Sequence, residues 1–114
     1  MRLVLPLPPS ANRYWRNVGG RVVKSAEARS YLGACQIAAA AQFKGEPMEG
    51  RLKLEADFYM DGRGDLDNRV KQLGDSLQGI VFLNDSQLWE IHLRRHREPK
   101  LPRVEITVTS LEAA

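Results

Sequence analysis

The chain has one cysteine, two histidines and no long apolar run, and each scarcity removes a class of function. A lone Cys35 cannot form an internal disulfide, and its place in a helical Ala-rich stretch marks it as a small buried apolar residue without a redox role. His92 and His96 lie on a strand-like basic stretch with Cys35 distant, so no His or Cys cluster has zinc-ligand spacing. Both histidines are read as packed or solvent-facing. No segment approaches the roughly 20 apolar residues of a membrane-spanning helix. The stretch Met1–Pro9 is too short and too proline-broken for a secretory signal, so a cytoplasmic protein with no membrane partner is expected. Repeats, low-complexity tracts and linkers are also missing. The 114 residues, 43% hydrophobic and 27% charged, suit one soluble domain with a single core.

What the chain does have is an acidic cluster, Asp65-Leu66-Asp67-Asn68-Arg69-Val70-Lys71-Gln72-Leu73-Gly74-Asp75, followed by Asn84-Asp85. Asp65 and Asp67 share a side of an extended segment. From Asp67 to about Gln78 a short helix is predicted, with Asp67 as N-cap, Val70, Leu73 and Leu77 as its apolar stripe and Gly79 beyond its end. Asp67, Lys71 and Asp75 then form a polar row at four-residue intervals. Two readings stand side by side. In one, Asp65, Asp67 and Asp85 offer carboxylate oxygens to a hard divalent cation such as Mg²⁺, and Lys71 offers a point charge to a phosphate. In the other, acidic residues offset a helix dipole and Asp67–Lys71 is an ordinary i,i+4 pair. An EF-hand is excluded, because counted from Asp65 it needs an acid or amide at Arg69, glycine at Val70 and glutamate at Ser76.

The net charge of +3 suits an anionic partner without establishing one. Arg13, Arg16, Arg21 and Lys24 cluster early, and Arg94, Arg95, Arg97, Lys100 and Arg103 late, with Tyr14, Trp15 and Trp89 interleaved. Such a pattern meets phosphates and unstacked bases, or is simply a solvated strand and turn. Trp15 and Trp89 are read as core or interface residues first and base-stacking residues second.

Residues 2–7 read as a strand entering a Pro8-Pro9-Ser10 turn, Asn12 to Gly20 as a loop, and Arg21 to Lys24 as a second short strand. Ser25 caps an Ala-rich helix to about Phe43, with Ala28, Tyr31, Leu32, Cys35, Ala38 and Ala39 on one face. Arg51 to Met60 alternates as a half-buried strand, and Asp61-Gly62-Arg63-Gly64 is a hinge. Residues 87–97 and 103–109 complete the set as two strands expected to pair with each other. The order β-β-α-β-α-β-β predicts an α+β fold, a small mixed sheet with two helices on one face. Residues 111–114 are expected to fray.

The opening Pro8-Pro9-Ser10-Ala11-Asn12-Arg13-Tyr14-Trp15, the Asp65-Leu66-Asp67-Asn68-x-x-Lys71 core and the Asp85 turn, taken in that order, resemble the RusA family of Holliday junction resolvases. The likeness runs from the first strand to the last, and implies that residues 1–110 are one RusA-like endonuclease domain. It implies a Mg²⁺-dependent homodimer, with Mn²⁺ a possible substitute, that cuts four-way DNA junctions by paired symmetric nicks in bacterial or phage recombination and repair. By position, Asp65, Asp67 and Asp85 match the family's essential acids, Lys71 its essential lysine, and Asp75 a recurrent supporting acid. Asn84 departs from the pattern, since relatives commonly carry a second Asp there; an amide carbonyl can still face a cation, with lower affinity expected. Asn12, Arg13, Arg16 and Arg69 are the candidate DNA contacts. The competing functions are a non-catalytic junction-binding module and a general nuclease or RNase using the same carboxylates.

Overall fold

The computed structural model describes residues 2–10, 15–62 and 64–112, with Trp15 and Arg16 described by their backbone alone. Strand β1 (Arg2–Leu5) is followed by a hairpin of β2 (Trp15–Val18) and β3 (Arg21–Lys24), helix α1 (Ala26–Gln42) and β4 (Leu52–Met60). Helix α2 (Leu66–Leu77), a 3₁₀ turn (Asp85–Gln87), β5 (Leu88–Arg97) and β6 (Arg103–Ser110) complete the chain. The four long strands form one mixed sheet in the order β1-β6-β4-β5, and β2 pairs only with β3.

β4 is the sheet's organiser. Its alternation places Leu52, Leu54, Ala56, Phe58 and Met60 on one face, none more than 4% exposed. Val104, Ile106 and Val108 of β6 and Leu3 and Leu5 of β1 continue that face. Both helices cover it, α1 through Tyr31, Cys35 and Ala39 and α2 through Leu73 and Leu77. The α+β expectation, two helices on one face of a mixed sheet, therefore holds. Fully burying each large aliphatic or aromatic side chain contributes about 1.5–3 kcal/mol, so this shared layer is the main source of stability.

The opposite face is polar and tied by ion pairs. Arg94 grips Asp57 with Nε at 2.7 Å and Nη2 at 3.2 Å. His96 meets the same carboxylate at 2.8 Å and stacks on Tyr59, with ring centroids 4.5 Å apart. Arg103 lies over Tyr59 and donates to Glu105 and Glu98. The basic stretch thus spends Arg94 and Arg103 on the sheet itself.

Three expectations are corrected. β5 and β6 do not pair with each other; each flanks β4, β5 parallel and β6 antiparallel to it. The α2 crossover forces β5 parallel to β4, while β6 finds an apolar place only between β4 and β1. The 12–20 loop contains β2, because Gly19 (φ +57°) and Gly20 (φ +81°) make the two-residue turn that a tight hairpin demands. Trp89, read as a core or interface residue first, lies outside the core, 66% exposed with the Arg51 guanidinium 5.1 Å from its ring. The tail is tied as far as Glu112, where Leu111 N–H donates to Arg51 O and Arg51 donates to the Glu112 carboxylate; Ala113 and Ala114 lie outside the described residues.

Candidate functional site at the start of helix α2

The chain leaves the end of β4 through Asp61-Gly62 and enters α2 at Asp65. Gly64 is required there, with φ +137° and a position where a Cβ would stand 3.3 Å from Arg69 Nη2. Arg95 of β5 donates to the carbonyls of both Gly62 and Gly64. This clamp fixes how the segment delivers Asp65.

Asp65, not Asp67, is the N-cap. Its Oδ1 accepts from the Asp67 N–H at 3.0 Å, and Asp67 sits in the first helical turn. The cap moves two residues earlier because Asp65 has the extended backbone that an N-cap needs (φ −86°, ψ 112°). Asp65, Asp67 and Lys71 are all exposed while Leu73 and Leu77 are buried, so the helix turns its charged row to solvent and its stripe to the core. Asp75 continues that row, half-buried.

Asp85 is elsewhere. α2 runs antiparallel to β4, so its C-terminal end returns to the β4 start, where Phe82 bridges to Met48 and to Gln78. Asp85 follows there, its N–H donating to Gln78 Oε1 at 3.3 Å. The twelve residues of α2 put about 18 Å of helix between the two acidic groups. Among the described residues no group of three His, Cys, Asp or Glu side chains could hold a metal ion. Asp65 and Asp67 thus stand together at the start of α2 with Lys71 one turn further along it, and Asp85 of the same chain lies beyond the other end.

Asn84 caps the 3₁₀ turn instead of facing the carboxylates: its Oδ1 accepts from Ser86 N–H at 2.9 Å. Gln87 closes the reciprocal box by accepting from the N–H groups of Leu83 and Asn84, and donates to the carbonyls of Met48 and Gly50. The spacing Asn84-x-x-Gln87 is a capping-box signature that sequence reasoning could have used.

Arg69 is corrected from a direct phosphate contact to a tether. It is 8% exposed, and its Nη1 donates to the Pro8 carbonyl. Burial, and then the charge of Arg95, push its pKa below the usual arginine range. Gln72 donates to Pro9 O at 2.8 Å and Tyr31 to Pro6 O at 3.0 Å, so three side chains hold three carbonyls of the proline segment. A cavity of about 760 Å³ opens beside it, lined by Pro8, Pro9, Tyr31 and Arg69 among others. The helix wheel carried the signal, since Arg69, Gln72 and Ser76 share the buried side of α2 with Leu73. Asn12 and Arg13 lie outside the described residues, as does the side chain of Arg16.

Comparison with known proteins decides what this helix end belongs to. Residues 6–109 match the family model described as endodeoxyribonuclease RusA. The chain belongs to the RusA endodeoxyribonuclease family. RusA relatives named as crossover junction endodeoxyribonucleases include that of Escherichia coli K12, 33% identical over 96% of this chain and 93% of the relative. That of Enterobacteria phage HK97 is 35% identical over 98% and 96%, and that of Enterobacteria phage 82 is 32% identical over 96% and 93%. RusA relatives thus occur in bacteria and phages, and in this chain no described helix is long and apolar enough to cross a membrane.

Proposed function

We propose that this chain is a Mg²⁺-dependent endonuclease that resolves four-way DNA junctions by paired symmetric nicks, acting as a homodimer in recombination and repair. Mn²⁺ substitutes for Mg²⁺, and the setting is the bacterial cytoplasm, whether the gene is cellular or phage-borne. The observation that carries the reading is exposed Asp65 and Asp67 at the start of α2 with exposed Lys71 one turn on, in a chain of this family.

The donor set suits a hard cation, since Mg²⁺ is held by one or two carboxylates with water and phosphate completing its shell. Asp65 keeps Oδ2 free of the cap bond that Oδ1 makes, and Asp67 has its side chain exposed. When bound, the ion neutralises charge on the scissile phosphate and activates water for in-line attack. Lys71 lies one turn beyond Asp67 and supplies a positive charge to a phosphate oxygen as negative charge grows there. Arg95 keeps Asp65 in place through the glycine carbonyls, and Asn12, Arg13 and Arg16 are the proposed DNA contacts.

The position of Asp85 supports the homodimer. Within one chain it stands at the far end of α2, so a site using all three acids draws Asp85 from a second copy. Two sites related by a two-fold axis match the two strands a junction must lose.

The test is cleavage of a labelled mobile four-way junction against its linear duplex, with Mg²⁺ and with EDTA, for wild type and Asp67→Asn. Junction-selective nicking that EDTA abolishes is expected, with the variant losing at least about a hundredfold in rate. The variant should still bind junctions, because losing a carboxylate also removes repulsion from DNA. Full cleavage by Asp67→Asn would sink the metal assignment, and equal cutting of duplex or RNA would make the protein a general nuclease. Binding with no nicking in Mg²⁺, or in Mn²⁺ run beside it, would return the acidic row to helix capping.

A further inference from the structure

We infer that Leu101 enters the base stack of a bound four-way junction, and that the cavity beside Pro102 receives the base it displaces. The inference rests on the junction-cleaving reading and adds the contact by which this chain tells a crossover from plain duplex. Leu101 sits in the turn between β5 and β6, 61% exposed. A single exposed leucine is ordinary on a protein surface. This one is held out on a braced support. Arg103 donates to the Leu101 carbonyl at 3.0 Å and to the Glu98 carboxylate at 3.2 Å, while its guanidinium lies 4.0 Å from the centre of the Tyr59 ring. Pro99 and Pro102 fix their own φ and keep the residues before them, Glu98 and Leu101, out of helical backbone. The leucine is therefore presented without the entropy loss of ordering a loose loop.

The turn stands beside the candidate site. Arg97 pairs with Met60, the last residue of β4, and the Glu98 N–H donates to the Met60 carbonyl at 3.1 Å. From Met60 the chain goes directly into the segment that delivers Asp65. Arg97 and Lys100, both exposed, frame the turn with positive charge, which suits a DNA strand and not an apolar protein partner. An apolar tip framed by cations is the chemistry of proteins that push Leu, Ile, Phe, Met or Pro between base steps.

Pro102, next to Leu101, is also a wall of the cavity of about 760 Å³, together with Pro8, Pro9, Glu27, Ala34 and Arg69. That volume falls in the range of ligand clefts, roughly 300–1,000 Å³. The proline rings offer a base apolar faces to pack on. Glu27 disfavours a phosphate there, so the neutral part of a nucleotide is the part that fits. Arg69 has a buried Nε without a hydrogen-bond partner among the described residues, a donor for which a base edge brings acceptors. Arg69 lies one turn beyond Asp65 on α2, which makes the cavity a neighbour of the candidate carboxylates. At the point of exchange a strand leaves one duplex for another and its stacking is interrupted, so displacing a base costs less there than inside a duplex. Wedge and cavity together favour a junction over linear DNA.

The experiment is fluorescence of 2-aminopurine placed at the crossover of an immobile four-way junction, in EDTA, with the same probe in mid-arm as control. Stacking quenches the probe and displacement brightens it. Saturating wild type should raise the crossover signal about threefold or more and leave the mid-arm signal unchanged. Leu101→Ala, an exposed change that leaves the core intact, should lose that rise. Its junction affinity by anisotropy should stay within about threefold of wild type, because phosphate contacts dominate binding. Ala34→Phe, on an exposed α1 wall of the cavity, should lose the rise as well. A rise that survives Leu101→Ala, or bound wild type with no rise, overturns the wedge; a rise that survives Ala34→Phe overturns the cavity as its receiver. Wild-type cleavage in Mg²⁺ is scored in parallel. Cleavage without the rise removes the inference and leaves the resolvase reading standing, whereas the rise without cleavage does the reverse.

Discussion

The two ends of α2 carry the chain's candidate carboxylates and are built on opposite plans. At the C-terminal end the Gln87 side chain makes four hydrogen bonds, Asn84 caps the turn and Gln78 holds the Asp85 N–H. At the N-terminal end the approach is a glycine hinge held from outside by Arg95, and the helix cap is the carboxylate of Asp65 itself. One end uses neutral side chains for structure and, among the described residues, leaves its acid without a side-chain partner. Under the proposed function, the other asks one acid to do both jobs. A charged group can therefore be functional while serving as a cap, and the two roles separate only when charge and hydrogen bonding are changed independently.

Asp65→Asn makes that separation. Asparagine caps as well as aspartate, so stability should stay within about 0.5 kcal/mol of wild type in urea unfolding. Junction cleavage in Mg²⁺ should nevertheless fall about a hundredfold or more, and unchanged cleavage would reduce Asp65 to a cap.

At the opposite end the order of effects reverses. Gln87→Ala strands partly buried backbone groups and should cost about 1–3 kcal/mol by the same unfolding assay. Any loss of cleavage should follow Asp85 alone and recover at lower temperature; a stability unchanged by the substitution would refute the structural role.

Asp65→Ala removes cap and charge together and should cost about 0.5–2 kcal/mol beyond its loss of activity. Stability equal to that of Asp65→Asn would mean that the cap bond contributes nothing.

The smallest effect is on the open face of the sheet. The hydrogen bond from Arg94, aided by His96, holds the Asp57 carboxyl below its ordinary value of 3.8. A depressed folded pKa contributes stability that is complete above the unfolded value and is lost as pH falls through the folded one. Wild type should therefore lose slightly more stability than Asp57→Asn as pH drops below about 3.8. Parallel curves for the two proteins would show that the pair is energetically silent, the usual case for exposed ion pairs.

Much of the fold was legible because periodicity is local. The alternation of residues 51–60, the Ser25 cap and the Tyr31, Cys35 and Ala39 face of α1 stand where the sequence places them. Strand neighbours were not legible, since β5 and β6 carry similar strand patterns and only the crossover shows that both want β4 between them. Arg69 looked like a surface cation because its type is usually exposed; a run of proline carbonyls, distant in sequence, gives it a buried partner.

By itself the sequence determined the elements other than β2, the acidic row with Lys71 and the family to which the chain belongs, because each depends on residue type at short spacing. Tertiary structure alone decided that Asp65 is the cap, that Arg69 faces inward, and that Asp85 lies a helix length from Asp67. Those depend on where a crossover returns the chain, and no local pattern encodes the distance between two ends of a packed helix.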